Sequence, residues 1–134
     1  MSHPEISDLE IDAVTRVLKS GQLSQGPEVQ DFEEEFASTV ADNLYCAAVN
    51  SGTSALHLAL LALNIGPGDE VIVPSFTFAA TANAVALTGA TPVFADIESA
   101  SFCLDPRDVE KKISPRTKGI VPVHLYGHPA DMPS

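Results

Sequence analysis

Val71-Ile-Val-Pro-Ser-Phe-Thr-Phe78 opens a stretch that runs on through Ala79-Ala-Thr-Ala-Asn-Ala-Val-Ala-Leu-Thr-Gly-Ala-Thr-Pro-Val-Phe-Ala95 without a single charged residue. A membrane-spanning helix needs about 20 mostly apolar residues in succession, and Pro74, Ser75, Asn83, Gly89 and Pro92 interrupt this run. The pattern is instead a strand over residues 71–73, a helix over about 77–88 stopped by Gly89, and a second strand over residues 92–95, all buried in a soluble fold.

The same grammar extends outward. Downstream, Asp105 caps a helix with Pro106 at its first position, Ile113-Ser-Pro115 ends it, and Gly119-Ile-Val-Pro-Val123 is a further strand. Upstream, Cys46-Ala-Ala-Val49 is a short apolar run read as the first strand. It leads through Asn50-Ser-Gly-Thr-Ser54 into a helical block ending near Leu63. Strands without strict alternation, spaced by helices, predict an α/β fold with about four parallel strands covered on both faces by right-handed crossovers. In Ala55-Leu-His-Leu-Ala-Leu-Leu-Ala-Leu63 only His57 is polar, so that helix expects burial on most of its surface. Four strands and a few helices are too little to cover it. The expectation is part of a larger body or an obligate oligomer, poorly soluble in isolation.

Two helices precede this region. Ser7-Asp-Leu-Glu10 fits a capping box, Leu9, Ala13, Val14, Val17 and Leu18 follow helical spacing, and Gly21 is the stop. After the loop Gly21-Gln-Leu-Ser-Gln-Gly-Pro27, Val29, Phe32, Phe36 and Val40 form one apolar face. Glu33, Glu34 and Glu35 read as its solvated side.

Over 134 residues there are 7 Lys plus Arg against 18 Asp plus Glu, a formal charge of −11. That balance gives no electrostatic footprint for nucleic acid or an anionic membrane. No Lys or Arg falls between Lys19 and Arg107, so an anion held by the middle of the chain must rely on amides and hydroxyls. Cys46 and Cys103 form neither a CxxC nor a metal spacing and read as reduced thiols of a cytoplasmic protein. The start, Met1-Ser-His-Pro-Glu-Ile-Ser-Asp8, has no apolar core and is no signal peptide.

Val49-Asn-Ser-Gly-Thr-Ser54 is the sharpest candidate site. Glycine permits close backbone approach, the first amides of a helix point outward together, and the helix dipole favours an anion there. Thr53 and Ser54 add hydroxyls. The same turn also fits plain capping. Phe78, at a strand-to-helix junction where α/β sheets bind ligands, suits stacking on an aromatic ligand; filling the core is the other reading. Gly66-Pro-Gly68 precedes a strand and is no dinucleotide fingerprint. His124 and His128 are separated by Gly127 and make no zinc motif, and Ser51 lies outside a nucleophile elbow. No metal site is expected.

Together, Gly21-x-Leu-Ser-x-Gly26-Pro27, Asn50-Ser-Gly-Thr-Ser-Ala-Leu56, Gly66-Pro-Gly-Asp-Glu-Val-Ile-Val-Pro-Ser-Phe-Thr-Phe78, Gly89-Ala-Thr-Pro-Val-Phe94 with Asp96, and Pro122-Val-His-Leu-Tyr-Gly127 with Asp131-Met132 resemble the DegT/DnrJ/EryC1/StrS family of pyridoxal-phosphate (PLP)-dependent sugar aminotransferases, across nearly the whole chain. The resemblance implies the large domain of an aspartate-aminotransferase-type fold (fold type I), here partial and truncated. It implies a homodimer and transfer of an amino group, usually from glutamate, to a nucleotide-linked keto sugar. By the same resemblance, Gly52, Thr53 and Ser54 hold the cofactor phosphate, Phe78 stacks on its ring, and the Gly21–Pro27 loop lies near the sugar site. The expected organisation is an N-terminal helix and loop over residues 1–27 and an incomplete PLP-binding large domain over residues 28–134.

The family's Schiff-base lysine and ring-nitrogen aspartate lie beyond the Pro-Val-His-Leu-Tyr-Gly motif, and this sequence has no Gly-Asp-x-Gly…Lys stretch. Lys19, Lys111, Lys112 and Lys118 do not fall beside the candidate cup. The chain alone is therefore expected to carry no catalytic residue and not to transaminate. Two other classes are weighed: a non-catalytic interaction module pairing with a full-length homologue, and an unrelated nucleotide-binding α/β domain.

Overall fold

A computed structural model describes residues 3–133; Met1, Ser2 and Ser134, at the two ends of the expected organisation, lie outside the described residues. The chain forms two compact units, Met1–Ala48 and Val49–Ser134. The boundary expected after Pro27 separates a leading helix from a cofactor-binding body, a functional division that compactness does not address.

The first unit holds α1 (Asp8–Ser20) and α2 (Pro27–Thr39). Ser7 accepts the Leu9 amide at 3.2 Å and donates its own amide to Glu10 at 2.7 Å, completing the capping box. The Ser7 hydroxyl and amide hold the Glu10 carboxyl below its ordinary pKa. Gly21 ends α1 at φ 73°, a left-handed turn that costs glycine nothing. Pro27 starts α2 as expected. Phe32 and Phe36 touch at 5.9 Å between ring centroids. Neither helix buries a residue, so the predicted apolar faces exist but stay open to water. One expectation is corrected. Glu33 is not simply solvated: half-buried, it accepts the Ala48 amide at 2.7 Å. A carboxylate one turn from the apolar stripe reaches a backbone donor that no strand takes up.

The second unit runs α3 (Gly52–Ala62), β1 (Glu70–Pro74), α4 (Ala80–Leu87), β2 (Thr91–Ala95), α5 (Pro106–Lys112) and β3 (Thr117–Ile120), then a short 3-10 turn, Leu125–Gly127. The sheet is parallel, as predicted, in the order β2-β1-β3. It has three strands, not four. Residues 46–49 form no strand, because a strand needs a neighbour to satisfy its amides and none lies there among the described residues. The last strand begins two residues earlier than expected and stops before Pro122, which has no amide to donate.

β1 lies at the centre, and Val71, Ile72 and Val73 are fully buried. Covering each such side chain is worth roughly 1.5–3 kcal/mol. Val71 and Val73 face α3 and α4 through Leu60, Ala84 and Val85, while Ile72 faces α5 through Leu104 and Val109. The period of two thus assigns one helix layer to each face. The chain steps from β1 to β2 over one face and back past β1 to β3 over the other. Reversing both direction and face keeps one hand for both crossovers, the right hand in nearly all such units.

At the amino end of the sheet, Glu70 is buried. It accepts the Ser114 hydroxyl at 2.5 Å and Arg116 Nε at 2.9 Å, with a second contact from Arg116 Nη2. The Ser114 hydroxyl, and then Arg116, hold its carboxyl below the ordinary glutamate pKa. The cluster bridges β1 to the start of β3, where the ladder shifts register. The free cysteines are a half-buried Cys46 and a buried Cys103. No described helix is long and apolar enough to cross a membrane.

Candidate functional site

α3 runs back along the sheet into β1, and α4 leaves β1. The starts of both helices therefore lie at the carboxyl ends of the strands. The chain departs β1 toward one face and β2 toward the other, and the crevice between two such strands is where open α/β sheets receive ligands.

The start of α3 is built by Asn50, Ser51 and Ser54. Ser51 has extended backbone, and its hydroxyl accepts the Ser54 amide at 3.1 Å as an N-cap. The Ser51 and Ser54 hydroxyls meet at 3.0 Å, and Ser54 donates to Asn50 Oδ1 at 2.7 Å. This network orients the first turn and engages the Ser54 hydroxyl proton. Among the described residues, the Gly52 and Thr53 amides and the Thr53 hydroxyl have no hydrogen-bond partner. They lie at the positive end of an 11-residue helix that carries roughly half an elementary charge there. Gly52 is not required by packing: a Cβ there would meet nothing within 4 Å. The missing side chain leaves open space at a helix start whose first two amides are free. The helix starts where the sequence placed it, and the turn is not sealed under side chains.

Phe78 lies in the loop leaving β1 and is 80% exposed, so it does not fill the core. The predicted helix start at residue 77 is corrected to Ala80. Ser75 donates its amide to Ala95 and Phe78 accepts the Thr81 amide, which holds residues 75–79 as a loop. Gly52, Thr53, Ser54 and Phe78 are thus all at the carboxyl end of one sheet. The Gly21–Pro27 loop belongs to the first unit.

The histidines make no metal cluster among the described residues; His124 Nδ1 instead accepts the Ala130 amide at 2.9 Å. A groove of about 640 Å³ lies apart from α3, against α5 and β3, lined by Leu104, Val109, Ile113, Ile120 and Met132. Plain capping was one reading of this turn, and the structure makes Ser51 the cap and Asn50 the acceptor of the Ser54 hydroxyl, a role no sequence signal had singled out. Sequence reasoning missed Phe102, whose ring packs on Phe76 at 6.1 Å. No local pattern links those two.

A parallel sheet whose carboxyl end presents an amide-lined helix start is the architecture in which α/β proteins take phosphate-bearing ligands. Residues 4–134 match the DegT/DnrJ/EryC1/StrS aminotransferase family, and the chain belongs to that family. The spore coat polysaccharide biosynthesis protein SpsC of Bacillus subtilis (strain 168) is 53% identical over 131 residues, 98% of this chain and 33% of its own length. A dTDP-3-amino-3,4,6-trideoxy-alpha-D-glucose transaminase of Streptomyces venezuelae is 55% identical over 120 residues, 90% of this chain and 31% of its own. The solved PLP form of Spr1654 from Streptococcus pneumoniae matches with a TM-score of 0.88 at 39% identity, over 97% of this chain and 33% of that one. The chain spans about a third of the length of the relatives it matches. The fold is the fold-type I aminotransferase fold over that third.

Proposed function

We propose that this chain is the cofactor-phosphate-holding part of a PLP-dependent aminotransferase acting on a nucleotide-linked keto sugar, with glutamate as donor, and that by itself it does not transaminate. The observation that carries this reading is the pair of uncommitted Gly52 and Thr53 amides at the start of α3. A phosphate monoester fits them without any lysine, matching a stretch that has none. Ser54 holds the turn in shape, and the Thr53 hydroxyl is a third donor. Phe78 offers a bare ring to the cofactor's ring, a contact worth on the order of 1 kcal/mol. When bound, PLP supplies the electron sink for amino transfer.

The resident lysines support inactivity. Lys111 and Lys112 end α5 and Lys118 is early in β3, so all three lie at the amino end of the sheet, away from the cup. Lys19 closes α1 in the other unit. Two free thiols support a cytoplasmic setting.

The test uses the purified chain, titrated with PLP and followed by PLP fluorescence, then given glutamate and assayed for 2-oxoglutarate. Saturable binding without 2-oxoglutarate is expected. Gly52→Ile, at a position where a Cβ meets nothing within 4 Å, should weaken PLP binding by tenfold or more, read on the scale of about 1.4 kcal/mol per tenfold, with Tm recorded beside it to separate a filled cup from a weakened fold. Turnover would overturn the inactivity, and absence of binding would overturn the cup.

A second reading has an observation of its own. Leu58, Leu61, Leu63 and Leu87 are 43–72% exposed on α3, α4 and the turn after α3, which suits a module that pairs with a full-length homologue or, in a complete protein, a homodimer. Co-purification with such a homologue, lost on Leu61→Glu, would favour it.

A further inference from the structure

We infer that Phe102 is a positioning residue: it braces the loop leaving β1 and so sets the direction of Phe78. The inference rests on the reading that Phe78 stacks on the cofactor ring. Phe78 carries no aromatic contact of its own among the described residues and is 80% exposed, so the loop beneath it decides where its ring points. That loop is tied by its backbone at both ends. The Ser75 amide donates to Ala95 at 2.8 Å, and the Phe78 carbonyl accepts the Thr81 amide at 3.2 Å. Between these ties stands Phe76, whose ring leans on Phe102 at 6.1 Å and 48°.

The support behind Phe102 is stiff. It sits in the hairpin-like loop leaving β2, closed by an Ile97–Leu104 bridge and by Glu98 amide to Cys103 carbonyl at 2.9 Å. The Phe102 amide donates to the Glu98 carbonyl at 2.8 Å. The Asp96 amide donates to Asp108 of α5 at 2.8 Å, and Cys103 Sγ reaches the His128 carbonyl at 3.3 Å. Phe102 itself has φ 57°. That left-handed conformation belongs to the turn that the Phe102 amide closes on the Glu98 carbonyl. The Phe102 ring meets that of Phe76, so a side chain from the loop leaving β2 touches one from the loop leaving β1.

The experiment titrates the full chain, Phe102→Ala and Phe102→Tyr with two probes, PLP and inorganic phosphate, and records each Tm. Phe102→Ala is expected to weaken PLP binding about fivefold, the size of a lost ring contact, and to leave inorganic phosphate within about twofold. Phe102→Tyr, which keeps the ring, restores PLP binding. A fluorine label on the ring of Phe78 should broaden or split in Phe102→Ala and stay sharp in Phe102→Tyr. Equal weakening of both probes would mean a merely structural role and overturn the inference. So would unchanged PLP affinity with an unchanged fluorine signal. If the unaltered chain bound phosphate but not PLP, the stacking role of Phe78 would fail, and this inference with it.

Discussion

In the first unit, α1 has a complete capping box and a left-handed stop, yet neither α1 nor α2 buries a residue. In the second, α4 has no side-chain cap at all, yet places Thr81, Ala84 and Val85 out of reach of water. Helices of this length are marginal alone. α1 shows what end signals can do without a core, and α4 shows that a core needs no end signals. The candidate site follows the second rule: its donors are exposed, but the helix and loop that carry them are anchored on β1.

The two units should part most clearly at the centre of the sheet. Ile72→Ala, at a fully buried position, should cost about 2–5 kcal/mol in urea denaturation of the second unit. Amide hydrogen exchange in α1 should stay unchanged. A common loss of protection would show that the units are not separate in stability.

Gly89→Ala comes next. Gly89 has φ 85°, and a Cβ would come within 2.9 Å of Pro67 Cγ. The strain should cost roughly 1–3 kcal/mol, measured as a lower urea midpoint with PLP affinity retained, since the clash is at the other end of α4 from Phe78.

Glu70→Gln tests an ionic tie between β1 and β3. The folded carboxyl has a depressed pKa, so its contribution is present above the ordinary glutamate pKa and is lost as pH falls through the folded value. The unaltered chain should therefore lose Tm over that acid range, and the variant, already lower at neutral pH, should show a flatter profile. A parallel profile would assign the acid sensitivity elsewhere.

The smallest effect belongs to the first unit. Ser7→Ala removes the cap of α1, costs about 1 kcal/mol, and should speed exchange at the Leu9 amide about fivefold with no change in the second unit.

Much was legible because the relevant signals act within one turn. Ser7 with Glu10, Gly21, Pro27, Asp105 with Pro106, and Gly89 each close a local backbone requirement, and the uncharged run with its punctuation set out strand, helix and strand. Gly52, Thr53 and Ser54 were readable for the same reason: a helix start needs only its own neighbours. The strand count and the start of α4 were less so. Pairing depends on another strand being present, and residues 75–79 are tied by bonds to Ala95 and Thr81 that no periodicity announces.

Residues a few positions apart were enough to set the parallel α/β class, the caps of α1 and α5, and the helix start with its unspent amides. That Glu70 meets Ser114 and Arg116, that Phe76 leans on Phe102, and that Glu33 takes the Ala48 amide followed from the folded chain alone. Those contacts exist only after the chain has closed long loops; for the first two, both in the second unit, the entropy of that closure is offset by the burial of Val71, Ile72 and Val73.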